Sequence, residues 1–322
     1  MQLVINTYGS YLRKKDNCFL IKNDNNVFEV SANKVDSILI TTSAYLSTDA
    51  IEFAVENNID IVFLDHFGDP YGRVWHSKLG STALIMRRQL ELYDKPEGLK
   101  LAKNWVSKKM GNQIKLIKKL ESTRTEGLEE FQEHVNKIEK LKEKLDELKG
   151  TVDERRADIM GVEGMASRIY FEAISSVMPE RFKFSGRSRN PATDEFNCLL
   201  NYGYGVLYSR VEKACIIAGL DPYIGFIHTD NYNKKSLVFD LIEMFRIYAD
   251  KTVIYLFSKR KVNEKQFDKI PGGLTLNKEG KAVLIEELNK TFEKNIKYKG
   301  REIKVKNIIP LECHRIANEL IK

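Results

Sequence analysis

Between Gln2 and about Trp75 the apolar residues come in short runs, LVIN, CFLIK, VFEV and VDSILIT, separated by turn-rich pieces, which is the pattern of strands. Asp24, Asn25 and Asn26, between the second and third runs, predict a hairpin loop, because Asn and Asp tolerate the left-handed backbone such loops use. Ser47 to Asn57 predicts a helix capped by Ser47 or Thr48, with Ile51, Phe53, Ala54 and Val55 as its apolar part. A buried strand, IDIVFL, follows, and the Gly, Pro and Asp of DHFGDPYG end it in a tight turn.

Beyond about Leu79 the period changes and the chain reads as helical to near residue 250. Leu128, Phe131, Val135, Ile138, Leu141, Leu145 and Leu148 recur in steps of three and four and mark one stripe of a helix, with Lys and Glu on its other faces. The stripe is short, so packing within a helical domain accounts for it better than a free coiled coil. Residues 251–322 mix a β-like run, TVIYLF, with a loop, IPGGLTLNKEG, and a helix from about Ala282 to Asn295. The prediction is an α+β chain with a small β-rich N-terminal domain, residues 1–78, and a larger, mainly α-helical domain, residues 79–322.

Length supports the division, since 322 residues exceed the size at which a single core usually stops growing. With 43% hydrophobic and 30% charged residues, the composition excludes global disorder. No apolar run reaches the roughly 18 to 20 residues that span a bilayer, and MQLVINTYGSYLRKK lacks a signal-peptide layout, so a cytoplasmic protein is expected. Cys18, Cys198, Cys215 and Cys313 lie far apart without a C-x-x-C pair, which argues against a zinc knuckle or disulfide framework and predicts buried, reduced thiols. Lys and Arg exceed Asp and Glu by 52 − 45 = 7. That balance is compatible with a polyanionic partner without establishing one.

Candidate chemistry begins with a helix from about Asp153 to Val177, whose stripe is Ile159, Val162, Ala166, Ile169, Ala173 and Val177. Glu163 falls on this apolar face, where a carboxylate needs a cation, a hydrogen-bonding partner or a proton; an ion pair with an internal arginine is the plain alternative. His228 lies in GLDPYIGFIHTDNYNKKSLVFDLIEMFR, after a helix ended by Gly219 and a turn begun by Asp221-Pro222, and before a helix capped by Ser236. In that next helix Asp240 and Glu243 are three apart and share a face, beside the apolar side marked by Leu237, Leu241, Phe245 and Tyr248. Two acidic groups so placed repel unless a cation intervenes. One nitrogen and several oxygens without a thiolate suit Mn²⁺ or Mg²⁺ better than structural zinc, and such an ion polarises phosphoryl oxygens. The residue pattern leaves Asp240 and Glu243 open as the third ligand. Arg187 and Arg189 precede Asn190-Pro191 on the loop leading into a helix capped by Thr193 or Asp194, placed to clamp phosphates or to pair with an internal carboxylate. Gly203 and Gly205 within that helix predict close packing, not a nucleotide loop.

The pieces GVEGMASRIYF, RSRNPATDEFNCLLNYGYGVLY, GLDPYIGFIH and SLVFDLIEMFR resemble, in order and spacing, the CRISPR-associated Cas1 family, the integrase of spacer acquisition. FGDPYGRVW and GGLTLNKEG extend the likeness to nearly the whole chain. The resemblance implies that Glu163, His228 and Glu243 are the metal ligands, with Glu243 an allowed form of a position that holds Asp or Glu, and Asp240 a further acidic catalytic position. Asn190-Pro191 departs from the two prolines usual in the family's loop. The resemblance further implies Mg²⁺ or Mn²⁺ as cofactor, a homodimer formed through the β-rich domain, and a complex with the small Cas2 protein. The implied reaction is that of a metal-dependent DNA endonuclease and integrase: a fragment 3′-hydroxyl attacks a phosphodiester at the edge of a CRISPR repeat. Nuclease action on branched or single-stranded nucleic acid also belongs to the family. Two other readings compete, a non-catalytic DNA-binding scaffold and a metal phosphodiesterase acting on small nucleotides.

Overall fold

The computed structural model describes residues 1–23, 26–75, 83–124, 127–228 and 234–322. The hairpin tip at Asp24 and Asn25 and the predicted boundary between residues 78 and 79 lie outside them. The N-terminal part runs β1 (Gln2–Ile5), β2 (Ser10–Lys15), β3 (Cys18–Lys22), β4 (Val27–Ser31), β5 (Ser37–Ile40), β6 (Ala44–Leu46), α1 (Thr48–Glu56), β7 (Asp60–Leu64) and β8 (Pro70–Val74). These strands form two sheets, ordered β4-β3-β2-β6 and β1-β5-β7-β8. In the second sheet β1, β5 and β7 are parallel and β8 is antiparallel.

Parallel strands are buried on both faces, which is why SILI and DIVFL read as continuous apolar runs. Their side chains point alternately into two cores: Ile38, Ile40 and Ile61 join Leu12, Phe19 and Phe53, whereas Leu39, Val62 and Leu64 join the helices. One sheet thus serves as a wall of both units. Ser47 stands at the N-cap of α1 as predicted, but its hydroxyl donates to the Leu12 carbonyl at 3.2 Å instead of capping.

The remainder runs α2 (Ala83–Tyr93), α3 (Pro96–Glu121), α4 (Leu128–Glu147), α5 (Val152–Ser176), α6 (Glu195–Ala218), α7 (Ser236–Ile242), α8 (Arg246–Ser258), β9 (Phe267–Ile270), β10 (Gly273–Leu276), α9 (Lys278–Glu293), β11 (Asn295–Tyr298), β12 (Arg301–Lys304) and α10 (Val305–Leu320). The predicted stripe of α4 is buried from Phe131 to Leu145 among the helices of one core. Three expectations for the C-terminal part need correction. TVIYLF is the second half of α8, where Val253, Ile254, Leu256 and Phe257 are all buried; a helix buried on most sides loses the polar positions that reveal its period. IPGGLTLNKEG is a hairpin, β9 and β10 turned at Gly272 with φ 79°, and α9 begins at Lys278, capped by Asn277. The sequence expectation contains neither the hairpin of β11 and β12 nor the helix α10, which carries Pro310 inside it.

Helix α6 runs through the middle of the helical part, and Gly219 with φ 83° ends it. A Cβ at Gly205 would lie 1.9 Å from the Gly68 carbonyl oxygen, so the β7–β8 turn sits directly on this glycine; at Gly203 the nearest atom is Ala249 Cβ at 3.6 Å, an ordinary contact. The close-packing expectation therefore holds for Gly205 alone. All four cysteines are free thiols, three buried and Cys18 half-buried. No helix among the described residues is long and apolar enough to cross a membrane.

Candidate metal centre

A capping box sets the register of α5: the Thr151 side chain accepts from the Glu154 N–H, and Glu154 reaches back to the Thr151 N–H. Ile159, Ala166 and Ala173 are then buried, and Glu163 lies at the edge of the stripe with its side chain 28% exposed. Its Oε1 accepts the Ser167 hydroxyl at 3.0 Å and touches the ammonium of Lys109. Lys109 comes from α3 and is buried; its Nζ also lies 2.6 Å from Glu243 Oε2.

Glu243 does not continue one helix with Asp240. Helix α7 stops at Ile242, Glu243 is its C-cap, and α8 starts at Arg246. Glu243 is 5% exposed, and its Oε1 accepts from Arg246 Nε at 2.8 Å and Nη2 at 2.7 Å. Its Oε2 is buried and receives no well-directed hydrogen bond, only the charge of the Lys109 ammonium. Burial pushes the Glu243 carboxyl up, but Arg246 and Lys109 outweigh it and hold the pKa at about 2. Burial would lower Lys109, yet Glu243 and Glu163 hold it above its ordinary value.

Asp240 is fully buried and faces elsewhere. Its carboxylate accepts the backbone N–H groups of Phe226 at 2.6 Å, Ile227 at 3.1 Å and His228 at 3.0 Å. It also lies 2.7 Å from His228 Nδ1. The repulsion expected between Asp240 and Glu243 is relieved without a shared cation: one carboxylate is neutralised by the His228 loop, the other by Arg246 and Lys109. Asp240 thus anchors the loop and engages the imidazole through Nδ1, which fixes the orientation of the ring. Ser236, predicted as the cap of the following helix, is its first residue, and Lys235 is the N-cap.

A cavity of about 250 Å³ brings together Glu163, His228, Glu243, Lys109, Arg187 and Arg246. At its wall Asp250 accepts the Tyr170 hydroxyl at 2.8 Å and the Tyr204 hydroxyl at 2.6 Å. The Tyr204 ring in turn lies between two guanidinium groups, Arg246 at 4.4 Å and Arg187 at 5.4 Å from its centroid. Asp194 caps α6 through the Asn197 N–H at 2.7 Å, which orders the loop before it. Arg187 donates to the side-chain oxygens of Asn197 and Asn201, so among the described residues its hydrogen-bond partners are amides and not a carboxylate. Arg189 is exposed and pairs with Asp69 at 3.6 Å. A second cavity of about 300 Å³ shares Arg187, Tyr204 and Arg246 and adds Arg189, Lys234, Lys235, Phe67, Tyr208 and Phe239, a basic and aromatic trough.

Lys109, Tyr204, Arg246 and Asp250 escaped the sequence reading. Lys109 carried the same signal as Glu163, a charge on an apolar stripe, here between Trp105 and Leu116. Tyr204 and Asp250 are joined only by the fold.

Among the described residues no three His, Cys, Asp or Glu side chains are gathered closely enough to hold a metal as they stand. Two carboxylates nevertheless converge on one cationic point, with an imidazole on the same cavity wall. Hard oxygens plus one nitrogen, and a buried Oε2 without a hydrogen bond, fit a divalent cation.

The sequence model of the family described as CRISPR associated protein Cas1 matches residues 3–290. CRISPR-associated endonuclease Cas1 1 of Archaeoglobus fulgidus is 33% identical, with 98% of this chain and 95% of that protein covered. Among solved structures, a Cas1 protein from Thermotoga maritima is 25% identical with a TM-score of 0.84, covering 100% of this chain and 97% of that one. A casposase bound to an integration product shares the fold with a TM-score of 0.85 at 24% identity, covering 99% of this chain and 90% of that one. A match along nearly the whole length, together with the residues gathered at the cavity, means that the chain belongs to the CRISPR-associated Cas1 family.

Proposed function

We propose that the chain is a metal-dependent DNA endonuclease and integrase of CRISPR adaptation, joining captured DNA fragments to the CRISPR repeat by transesterification. The observation that carries this reading is the convergence of Glu163 and Glu243 on one cationic point, beside His228 and next to a basic, aromatic trough. Glu163, Glu243 and His228 would hold Mg²⁺ or Mn²⁺. When bound, such an ion would supply Lewis-acid polarisation of an oxygen on the phosphorus under attack.

The protein's own groups do the rest. Asp240 fixes the His228 ring and its loop, so it is a positioning residue. Arg246 fixes Glu243 through one oxygen and leaves the other turned to the cation. Arg187, held by neutral amides, keeps its full charge for a phosphate, and Arg189 joins it on exchanging Asp69 for DNA. Tyr204, tied to Asp250, holds both guanidinium groups at the cavity mouth. Family membership supports action on DNA in the cytoplasm, a homodimer formed through the β-rich unit and a complex with Cas2.

The test is an integration assay with a short duplex, a CRISPR repeat target and Cas2, in which metal is omitted and restored. Cleavage and joining are expected only with Mg²⁺ or Mn²⁺. They fall by at least ~100-fold in Glu163→Gln and His228→Ala, whose circular dichroism remains that of the parent. Full activity in either variant overturns the assignment. One observation favours the scaffold reading, namely that Lys109 and Arg246 already neutralise the two carboxylates. DNA binding without metal, and without cleavage under any divalent ion, would decide for it.

A further inference from the structure

We infer that Lys109 is a built-in cation that occupies the point between Glu163 and Glu243, and that a divalent ion binds there only by displacing it. This rests on the metal-centre reading above and adds that loading the site is an exchange of one cation for another.

The carboxylate oxygens that face each other across the cavity are those the ammonium touches, Oε1 of Glu163 and Oε2 of Glu243. Lys109 and Arg246 balance the two carboxylates, so the cluster is neutral as it stands. A divalent ion added beside the ammonium would put two cations on the same pair of carboxylate oxygens, where like charges within a few ångströms repel strongly. The ion and the ammonium therefore exclude each other. Without either, two carboxylates would face each other with one oxygen buried and bare, so the ammonium also stabilises the metal-free protein.

A lysine suits an exchange better than an arginine would, being a point charge on a flexible stem instead of a planar fork. The displaced ammonium also has somewhere to go. Gln113 lies one turn further along α3 on the same face, lines the same cavity, and is 3% exposed. Its Oε1 is buried and accepts no hydrogen bond. An ammonium released from the carboxylates meets this acceptor without leaving the cavity. Lys109 thus has two stations, the carboxylate pair without metal and Gln113 with it.

The test uses the full-length protein and Mn²⁺ as the probe. In Lys109→Met, which keeps the stem and removes the charge, Mn²⁺ measured by calorimetry should bind at least tenfold more tightly than in the parent. The metal-free variant should melt at lower temperature, and Mn²⁺ should raise its melting temperature more than it raises the parent's. Unchanged or weaker Mn²⁺ affinity overturns the inference. A second measurement needs no variant: acylation of lysines in the parent, read by mass spectrometry, should modify Lys109 several-fold more at saturating Mn²⁺ than without it. Equal modification in both states overturns the inference as well. Glu163→Gln separates the two levels. If the parent binds no Mn²⁺ that this substitution removes, the metal-centre reading falls and the exchange with it. If it does bind such Mn²⁺ while Lys109 labelling stays constant, the exchange alone falls.

Discussion

Asp240 shows how a single buried carboxylate can serve a site without entering it. It takes three backbone N–H groups and the His228 imidazole on two oxygens. In Asp240→Asn the amide presents an NH₂ to donors, so at least one buried N–H loses its acceptor, costing ~1–3 kcal/mol. The imidazole also loses the partner that fixes its tautomer. Thermal melts should show that loss of stability, and Mn²⁺ affinity should fall by ~10- to 100-fold, the usual range for a partner that orients a ligand. An affinity equal to the parent's would show that the ring needs no anchor. Glu163 and His228 were legible in the sequence because a charge on an apolar stripe and a histidine before an acidic, apolar helix are local signals. The role of Asp240 was not, since three apart on one helix suggested a shared ligand face. Helix α7 ends at Ile242, and the loop at His228 claims Asp240 first.

Glycines separate two kinds of helix position. Gly161 and Gly164 lie in the interior of α5 on either side of Glu163, exposed, with nothing within 4 Å of an added Cβ. Alanine at either should stabilise the protein by ~0.5–1 kcal/mol, the helix-propensity difference, seen as a shift of the denaturation midpoint. Gly205→Ala should do the opposite. Its Cβ would overlap a main-chain carbonyl of the β7–β8 turn, which cannot swing away like a side chain, and overpacking of this kind costs ~1–3 kcal/mol. Equal effects at Gly161 and Gly205 would refute the distinction. The sequence showed that α6 carries a packing glycine, but not which one, because the contact is with a turn more than a hundred residues away. The α4 stripe was legible and TVIYLF was not because a helical period shows only where a helix has a wet side, whereas β5 and β7 were read from short apolar runs bounded by turn residues.

At the scale of the whole molecule the β-rich and helical units are less separate than composition suggested, because the β1-β5-β7-β8 sheet lends its second face to the helical core. The continuous apolar runs of β5 and β7 carried that information. Long-range ion pairing was illegible, and Glu312 is its clearest case. Its carboxylate on α10 is 1% exposed and meets Lys108 of α3 at 2.8 Å, Lys299 in the β11–β12 turn at 2.5 Å and Arg315 at 3.1 Å. Burial opposes ionisation, but the three cations prevail and lower the carboxyl from its ordinary 4.5 to about 2. A depressed native value means that the unfolded chain takes up the proton first as pH falls. The stabilisation is therefore complete above about pH 4.5 and is lost as pH drops toward about 2. Because both lysines stay partly in solvent, it amounts to on the order of 1–2 kcal/mol and not the full shift. Urea melts at pH 7 and at low pH should show Glu312→Gln less stable than the parent at the first and nearly equal at the second. A difference that persists undiminished at low pH would mean that Glu312 stabilises the junction by packing and not by charge.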